Sequence, residues 1–395
     1  MLKAPPTPWA LDPKIEFLNH GSFGSCPLPV IKEQDRLRRL MEAEPVRFLD
    51  RELEGRLDEA RSALAAFIGA DPDDIAFVPN ATAGVNTVLR SLRFEPGDEI
   101  LATDMEYNAC RNAADFAVGG VRVRAARIPF PIGSPDEAAK AILACASERT
   151  HLALLSHITS PTGIILPLES LVRELQGRGI DVLVDGAHAP GQASLDLRRL
   201  DATYYTGNCH KWLCAPKGAA FLHVRRDRQE RIRPLAISHG ANSRRTDRSR
   251  FRLEADWTGT DDPTPYLCIP AAIQFMESAV PGGWPEVMRR NHSLTVEARK
   301  ILADALGIPA PCPEVMLGAM AALPLPADLA GPPAPPKGLD PLQERLFSEF
   351  RIEVPIFPWP SPDKKILRVS AQLYNHREQY QVLASALRAC QRRTH

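Results

Sequence analysis

The sequence lacks long apolar runs and lacks an excess of either charge. No stretch approaches the roughly 20 apolar residues that a membrane-spanning helix needs. The first 14 residues are interrupted by proline and charge, unlike a signal peptide. Lys and Arg together number 48, the same as Asp and Glu. Because no global field attracts nucleic acid or an anionic membrane, we expect a small-molecule partner and neither of those two.

Paired cysteine motifs are also absent. Eight cysteines are scattered over 395 residues without a CxxC pair, which argues against a disulfide framework or a metal site. We expect reduced, mostly buried thiols and a cytoplasmic protein. Neither GxGxxG nor a P-loop follows a predicted strand, which argues against a plain nucleotide-binding α/β protein.

What the sequence does contain is a regular alternation of short apolar runs and helical patterns between residues 75 and 224. This alternation predicts an α/β fold whose large domain has a mostly parallel seven-stranded sheet, covered on both faces. The predicted strands are 75–79, 98–103, 121–129, 151–158, 181–185, 202–207 and 219–224. The predicted helices between them are 82–93, 107–118, 135–147 and 167–178.

The composition changes after about residue 285, where prolines become frequent. Three further apolar runs and a closing helical pattern indicate a small α+β C-terminal domain. The predicted strands here are 315–325, 354–359 and 365–373. We therefore divide the chain into an N-terminal arm (1–28), a large domain (29–283) and a small domain (284–395).

Three polar clusters lie at predicted strand ends, where ligands of open α/β sheets bind. Asp185 ends the run DVLVD, Lys211 lies in TGNCHKWLCAPKG, and Asn80-Ala81-Thr82 leads a strand into a helix. A lysine amine condenses with an aldehyde and moves a proton. A carboxylate holds a pyridine nitrogen protonated, and a helix N-terminus anchors a phosphate. Together the clusters predict a pyridoxal-5′-phosphate (PLP) site with Lys211 as the Schiff-base lysine.

Taken singly, each cluster has an ordinary structural interpretation. An Asp at a strand end is commonly a turn former, a His-Lys pair is commonly exposed, and NAT before a helix is commonly a cap. Their occurrence in the order phosphate helix, Asp, Lys along successive strand ends favours the cofactor interpretation.

Eight motifs extend this pattern over nearly the whole chain. They are FLNHGSFGSCP (17–27), NATAGVN (80–86), EYNA (106–109), SHITSPTG (156–163), DGAHAPGQ (185–192), GNCHKWLCAPKG (207–218), WTGTDDPTP (257–265) and LRVSAQLYN (367–375). In this order they resemble the class V aminotransferase superfamily within fold type I of the PLP enzymes. More narrowly, they resemble its isopenicillin N epimerase-like branch.

The resemblance implies roles for individual residues in binding the cofactor. His188 would hydrogen-bond the phenolic oxygen of the ring, with Thr159 nearby. Tyr107 would stack on the ring face, although core packing is the other interpretation of this tyrosine. Thr260 would reach the phosphate of a neighbouring subunit, which implies a homodimer with shared active sites. The ring nitrogen would bind Asp185, and the phosphate would bind Thr82, the amides of Ala81 and Ala83, Asn208 and His210.

The substrate would be an amino acid. The resemblance assigns Arg368 to the substrate carboxylate, which a guanidinium binds through two parallel hydrogen bonds. A surface arginine on an edge strand is the alternative interpretation. The N-terminal arm would contribute to the active site, and Asn19 and His20 would approach the substrate.

The implied reaction is epimerisation or racemisation at the α-carbon through the Lys211 Schiff base. C–S bond lysis of a cysteine conjugate or sulfoxide, and transamination, are alternatives. No cysteine occurs between Cys312 and Cys390, so we do not expect persulfide-forming desulfuration. A non-catalytic PLP-binding regulator is a further alternative. The presence of Lys211, Asp185 and Arg368 without an appended DNA-reading module argues against it.

Overall fold

The computed structural model describes residues 8–117, 121–332 and 338–392. The remaining parts of the predicted arm, of helix 107–118 and of the small domain lie outside these ranges. A seven-stranded sheet forms the centre of an α/β fold, and a three-stranded sheet lies in the C-terminal part, as predicted. Among the helices of the described ranges, none is both long and apolar enough to cross a membrane.

The N-terminal arm lies against the C-terminal part of the chain. Its short strand β1 (Glu16–Phe17) pairs in parallel with residues Ile352 and Glu353. The one-turn helix α1 (His20–Phe23) follows directly. This pairing places the motif NHGSFG beside the C-terminal part of the chain.

Each apolar run between residues 75 and 224 forms one strand of the central sheet. The strands are β2 (Ile75–Val78), β3 (Glu99–Thr103), β4 (Arg122–Ala126), β5 (Thr150–Ser156), β6 (Asp181–Asp185), β7 (Tyr204–Asn208) and β8 (Ala220–Val224). Their order is β2-β8-β7-β6-β5-β3-β4, and only β8 runs antiparallel to its neighbours. The sheet is therefore mostly parallel, as predicted.

The central sheet separates two apolar cores. Leu154 and Leu183 pack into one core, while Leu155 and Val184, the next residues along the same strands, pack into the other. Burial on both faces explains why these strands read as continuous apolar runs. The helices before and between the strands are α2 (Leu28–Ala43), α3 (Leu53–Ile68), α4 (Ala81–Ser91), α5 (Asn108–Ala117), α6 (Pro135–Cys145), α7 (Leu168–Gly177) and α8 (Leu197–Leu200).

The chain continues from the sheet into a helical segment and then into the small α+β unit. The helices are α9 (Arg250–Ala255), α10 (Thr264–Leu267), α11 (Ile269–Ser278), α12 (Gly283–Leu306), α13 (Ala327–Ala330), α14 (Pro341–Phe350) and α15 (Arg377–Arg392). The strands are β9 (Met320–Pro324), β10 (Ile352–Glu353), β11 (Ile356–Pro358) and β12 (Lys365–Ser370).

The small unit contains an antiparallel sheet in which β12 lies between β11 and β9. The strand predicted from residue 315 begins only at Met320, because Glu314–Met316 forms a 3₁₀ turn after Pro313. We keep the domain boundaries at residues 28 and 283 as a proposal. The start of the long helix α12 at Gly283 supports the second of them.

A buried ion pair stabilises the small unit. Lys365 Nζ lies 2.6 Å from Asp340 Oδ2, and both side chains are almost fully buried. The same ammonium group donates to the carbonyl of Pro332. Asp340 Oδ1 also caps α14 by accepting from the amide of Leu342. Replacing Asp340 by Asn keeps a capping oxygen, removes the negative charge and replaces the acceptor that faces Lys365 by an NH₂ donor.

We predict that Asp340→Asn lowers the free energy of unfolding by about 3–5 kcal/mol, because Lys365 is left as an uncompensated buried charge. Urea unfolding of the variant and the wild type measures the difference. Glu169→Gln is the matched control, because its ion pair with Arg199 is mostly exposed and is worth about 1 kcal/mol or less. Equal effects of the two substitutions would contradict the prediction.

Candidate active site

One cavity opens at the carboxyl ends of β6 and β7, beside the N-terminus of α4. Its volume is about 550 Å³, within the range of small-molecule sites. Strand ends at the same edge of the sheet bring together residues that are far apart in the chain. The predicted site residues that line this cavity are Ala81, Thr82, Tyr107, Asp185, His188, Asn208, His210 and Lys211.

Lys211 lies in the loop after β7 and extends its amine toward His188. The distance from Lys211 Nζ to His188 Nε2 is 3.2 Å. Burial, together with the nearby charge of Arg368, lowers the pKa of Lys211 to about 7, while Asp185 opposes the shift. A large share of the amine is therefore neutral at neutral pH, which is the form that attacks an aldehyde.

Asp185 is a buried carboxylate at the end of β6, and two donors hold it. Its Oδ1 accepts from the amide of Ala187 at 3.0 Å, and its Oδ2 accepts from the Cys110 thiol at 3.1 Å. Burial and the nearby Asp185 raise the pKa of Cys110 well above its usual value, so the thiol remains a donor. The sequence analysis missed Cys110. Its contact with Asp185 arises only through tertiary packing, so no local signal in the sequence marks it.

A second buried carboxyl group, Glu106, lies behind Asp185. It accepts hydrogen bonds from Thr103 Oγ1 and from the amide and hydroxyl of Ser156. Burial raises the pKa of Glu106 to about 7, and the charge of Asp185 contributes in the same direction. Cross-strand pairing explains the proximity, because Ser156 and Asp185 are register partners in β5 and β6.

The N-terminus of α4 forms another wall of the cavity. Asn80 caps this helix by accepting from the amide of Ala83, and Asn208 Oδ1 accepts from the amide of Ala81, each at 2.8 Å. The two amides predicted to bind phosphate thus already donate to side chains. The other polar group of the Asn208 side chain, Nδ2, is a hydrogen-bond donor. The side chain of Lys217, which the sequence analysis missed, also lines the cavity and donates to the carbonyl of Gly24.

Arg368 lies on the central strand of the small sheet and is only 2% exposed. The interpretation as a surface arginine on an edge strand is therefore wrong. Its guanidinium donates to the carbonyl of Ser160 and to Ser22 Oγ, both from residues that line the cavity. Burial lowers the pKa of Arg368 to about 10, so the group stays charged at neutral pH. Within the described ranges, its Nε atom has no hydrogen-bond partner.

Tyr107 precedes α5 and is 48% exposed, with its side chain on the cavity wall. The interpretation as core packing is therefore wrong. A negative charge on the Tyr107 phenol would raise the pKa of Arg368. The phenol and the guanidinium are thus close enough to interact electrostatically.

Several predicted residues lie outside the cavity wall, and their roles stay predictions. Thr159 is fully buried, and its hydroxyl bonds to Thr162 and to the backbone of Ile164. The side chain of Ala83 faces a different, apolar pocket. Thr260 is exposed in the segment that follows α9.

Asn19 and His20 of the arm are also outside the wall. Asn19 Nδ2 donates to Glu353. The ring nitrogens of His20 lie 2.8 Å from the Tyr374 hydroxyl and 3.0 Å from the Lys211 carbonyl. The arm packs directly on the Lys211 loop. The contact is so close that a side chain at Gly24, whose φ is +70°, would meet the His210 carbonyl at 2.2 Å. His20 thus supports the backbone that carries Lys211.

The groups that line the cavity fit a phosphorylated pyridine aldehyde. The cavity offers an amine of lowered pKa for the aldehyde and a buried carboxylate for a protonated ring nitrogen. A helix N-terminus with the side chains of Thr82 and Asn208 lies at another wall, where a phosphate is favoured.

Comparison with known proteins decides the family. Residues 26–313 match the model of the aminotransferase class V family. The chain belongs to this family. Its members are PLP-dependent enzymes, so the chain is a class V aminotransferase family enzyme. This confirms the relationship that the eight sequence motifs indicate.

Two groups of relatives stand out. The chain is 37% identical to isopenicillin N epimerase of Amycolatopsis lactamdurans, over 96% of both chains. It is 30% identical to a probable chloroplastic L-cysteine desulfhydrase of Arabidopsis thaliana, over 95% of this chain and 83% of the relative. Isopenicillin N epimerase of Streptomyces clavuligerus is similar at 37% identity, again over 96% of both chains.

Solved structures support the fold. An apo cysteine desulfurase from Thermococcus onnurineus NA1 matches with a TM-score of 0.77 at 19% identity, over 98% of both chains. A cystine C–S lyase in complex with cysteine persulfide matches with a TM-score of 0.74 at 22% identity, over 95% of this chain and 97% of the lyase. The class V enzyme described here therefore has the predicted fold type I architecture.

The lowered pKa of Lys211 leads to a testable pH dependence. We predict that the rate of Schiff-base formation between PLP and the cofactor-free protein rises with pH through a midpoint near 7 and then levels off. An ordinary lysine would keep gaining reactivity up to about pH 10. Stopped-flow absorbance measures the rate at each pH.

Arg368→Met serves as a companion variant, because removing its positive charge should move this midpoint upward. Lys211→Ala should show no Schiff base. A wild-type midpoint close to that of a free lysine would contradict the account of the buried amine.

Proposed function

We propose that this enzyme uses PLP to epimerise an amino-acid substrate at the α-carbon, with isopenicillin N as the first substrate to test. The observation that carries the proposal is the shared cavity of Lys211, His188 and Asp185, with Arg368 at its edge. The 37% identity to isopenicillin N epimerases over nearly the whole of both chains supports epimerisation over the alternatives.

PLP, when bound, supplies an electron sink for the carbanion at the α-carbon. Lys211 would bind its aldehyde and Asp185 its ring nitrogen. His188 would face the phenolic oxygen. The other residues proposed to hold the cofactor are Thr82, Asn208 and His210 at the phosphate, Tyr107 at the ring face, Thr159 near the ring, and the α4 N-terminus at Ala81 and Ala83.

The substrate carboxylate would bind Arg368. Ser22 and Ser160 already direct the guanidinium toward the cavity by accepting its hydrogen bonds. A carboxylate arriving there is an anionic acceptor, which forms stronger hydrogen bonds with the charged guanidinium than the uncharged oxygens of Ser22 and Ser160 do. Asn19 and His20 would act through the position of the arm that carries Ser22, since Ser22 Oγ donates to Asn19 Oδ1 at 2.5 Å.

Epimerisation also needs a second acid–base group besides Lys211. We propose Tyr107 for this role. Its phenol lines the cavity and is half-exposed, and a negative charge on it would raise the pKa of Arg368, the residue that would hold the substrate. The hydroxyl would therefore lie near the α-carbon of a substrate whose carboxylate binds Arg368.

C–S bond lysis is the second candidate, and the L-cysteine desulfhydrase relatives favour it. The same neutral amine of Lys211 would remove the α-proton, and loss of a sulfur leaving group would follow. The segment between Cys312 and Cys390 supplies no thiol that could carry a persulfide. A lyase reaction would therefore release the sulfur fragment directly. Transamination is a third possibility within the family.

We also propose a homodimer in a reducing compartment such as the cytoplasm. Thr260 is exposed beside an apolar pocket, and Leu235 at that pocket is 51% exposed. An exposed apolar surface of this kind favours a protein contact. All eight cysteines are free thiols, which is typical of reducing surroundings.

We predict that the PLP-loaded enzyme in D₂O brings deuterium to the α-carbon of its substrate while the substrate stays intact and both α-configurations accumulate. NMR of isopenicillin N, a panel of amino acids and cysteine conjugates measures this. Lys211→Ala is the control and should give no exchange. Release of pyruvate, ammonia or a sulfur fragment instead would assign the enzyme to the C–S lyases.

A further inference from the structure

A chain of hydrogen bonds runs from the core through His188 to the reactive lysine. Trp212 is fully buried, and its Nε1 donates to His188 Nδ1 at 3.4 Å. On the other side of the same imidazole, Nε2 lies 3.2 Å from Lys211 Nζ. An indole N–H can only donate, so His188 Nδ1 has to be the unprotonated acceptor. In a neutral imidazole the proton then resides on Nε2.

His188 is held in the neutral state, in which only one of its two ring nitrogens carries a proton. Burial lowers its pKa well below the usual value, and the charge of Lys211 acts in the same direction. The backbone of His188 is also held in position, because Gln192 Nε2 donates to the His188 carbonyl at 2.8 Å.

The loop of His188 is packed directly on the Trp212 backbone. Gly191 has φ +87°, and a side chain there would meet the Trp212 carbonyl oxygen at 2.6 Å. On another side, the His20 ring lies 4.8 Å from the indole ring. The indole therefore has little freedom to turn its N–H away from the imidazole.

We propose that Trp212 is a positioning residue that fixes His188 as the Nε2–H tautomer, so that the cavity presents a hydrogen-bond donor beside Lys211. The tautomer is a property of the chain itself. Its use rests on the proposed function, in which His188 Nε2 faces the phenolic oxygen of PLP. A donor at that oxygen withdraws negative charge from it and thereby lowers the pKa of the neighbouring Schiff base.

The first test reads the tautomer directly. ¹⁵N NMR of the full chain labelled at histidine, with and without PLP, distinguishes the two ring nitrogens of His188, and His188→Gln identifies its signals. We expect a protonated Nε2 in the wild type and a mixture of tautomers in Trp212→Phe. Trp284→Phe is the matched control, because it removes an indole hydrogen bond to the Ile273 carbonyl elsewhere in the fold.

A wild-type spectrum with Nδ1 protonated would overturn the inference, and this result needs no folded variant. An unchanged tautomer in a folded Trp212→Phe would overturn it as well.

The second test is the pH titration of the visible absorption band of the PLP-loaded protein. Loss of the fixed donor in Trp212→Phe should raise the midpoint by about half to one pH unit, the shift expected for one hydrogen bond. Trp284→Phe should titrate like the wild type. If the tautomer changes while the midpoint does not, Trp212 has no effect on the cofactor. Absence of any band in the wild type would instead reject the proposed function and leave the tautomer result standing.

Discussion

The burial of a lysine amine beside a second cation is the constraint on which this site depends. Moving an ammonium group out of water is unfavourable unless the group loses its proton. Arg368 adds a like charge, so the neutral form of Lys211 is favoured further. The same surroundings that are unfavourable for a charged lysine thereby produce a nucleophile at neutral pH.

Distant parts of the chain have to meet to create these surroundings. The arm supplies His20 below the Lys211 backbone and Ser22 beside Arg368. The small unit supplies Arg368 itself, on the central strand of its sheet. The pairing of β1 with β10 holds the arm in place. The cavity thus depends on the position of the arm and the small unit against the large sheet, and ligands commonly bind at such junctions.

The strands and the principal site residues could be predicted because both leave local signals. Strands buried on both faces read as apolar runs, and the residues after them, Asp185 and Lys211, fall at one edge of the sheet. The interactions between side chains from different elements could not be predicted in this way. Cys110 reaches Asp185, and Trp212 reaches His188, only through tertiary packing. Asn208 engages the amide of Ala81 for the same reason, whereas Asn80 caps α4 locally, as the motif NAT before a helix suggests.

The position of the Schiff base tests the central claim most directly. The PLP-loaded enzyme would be reduced with borohydride and digested, and the modified lysine located by mass spectrometry. The cavity makes this test discriminating, because Lys217 also lines it. The account predicts phosphopyridoxyl on Lys211, with an unmodified cavity in Lys211→Ala. Modification of Lys217 in the wild type, or no modification of either lysine, would contradict it.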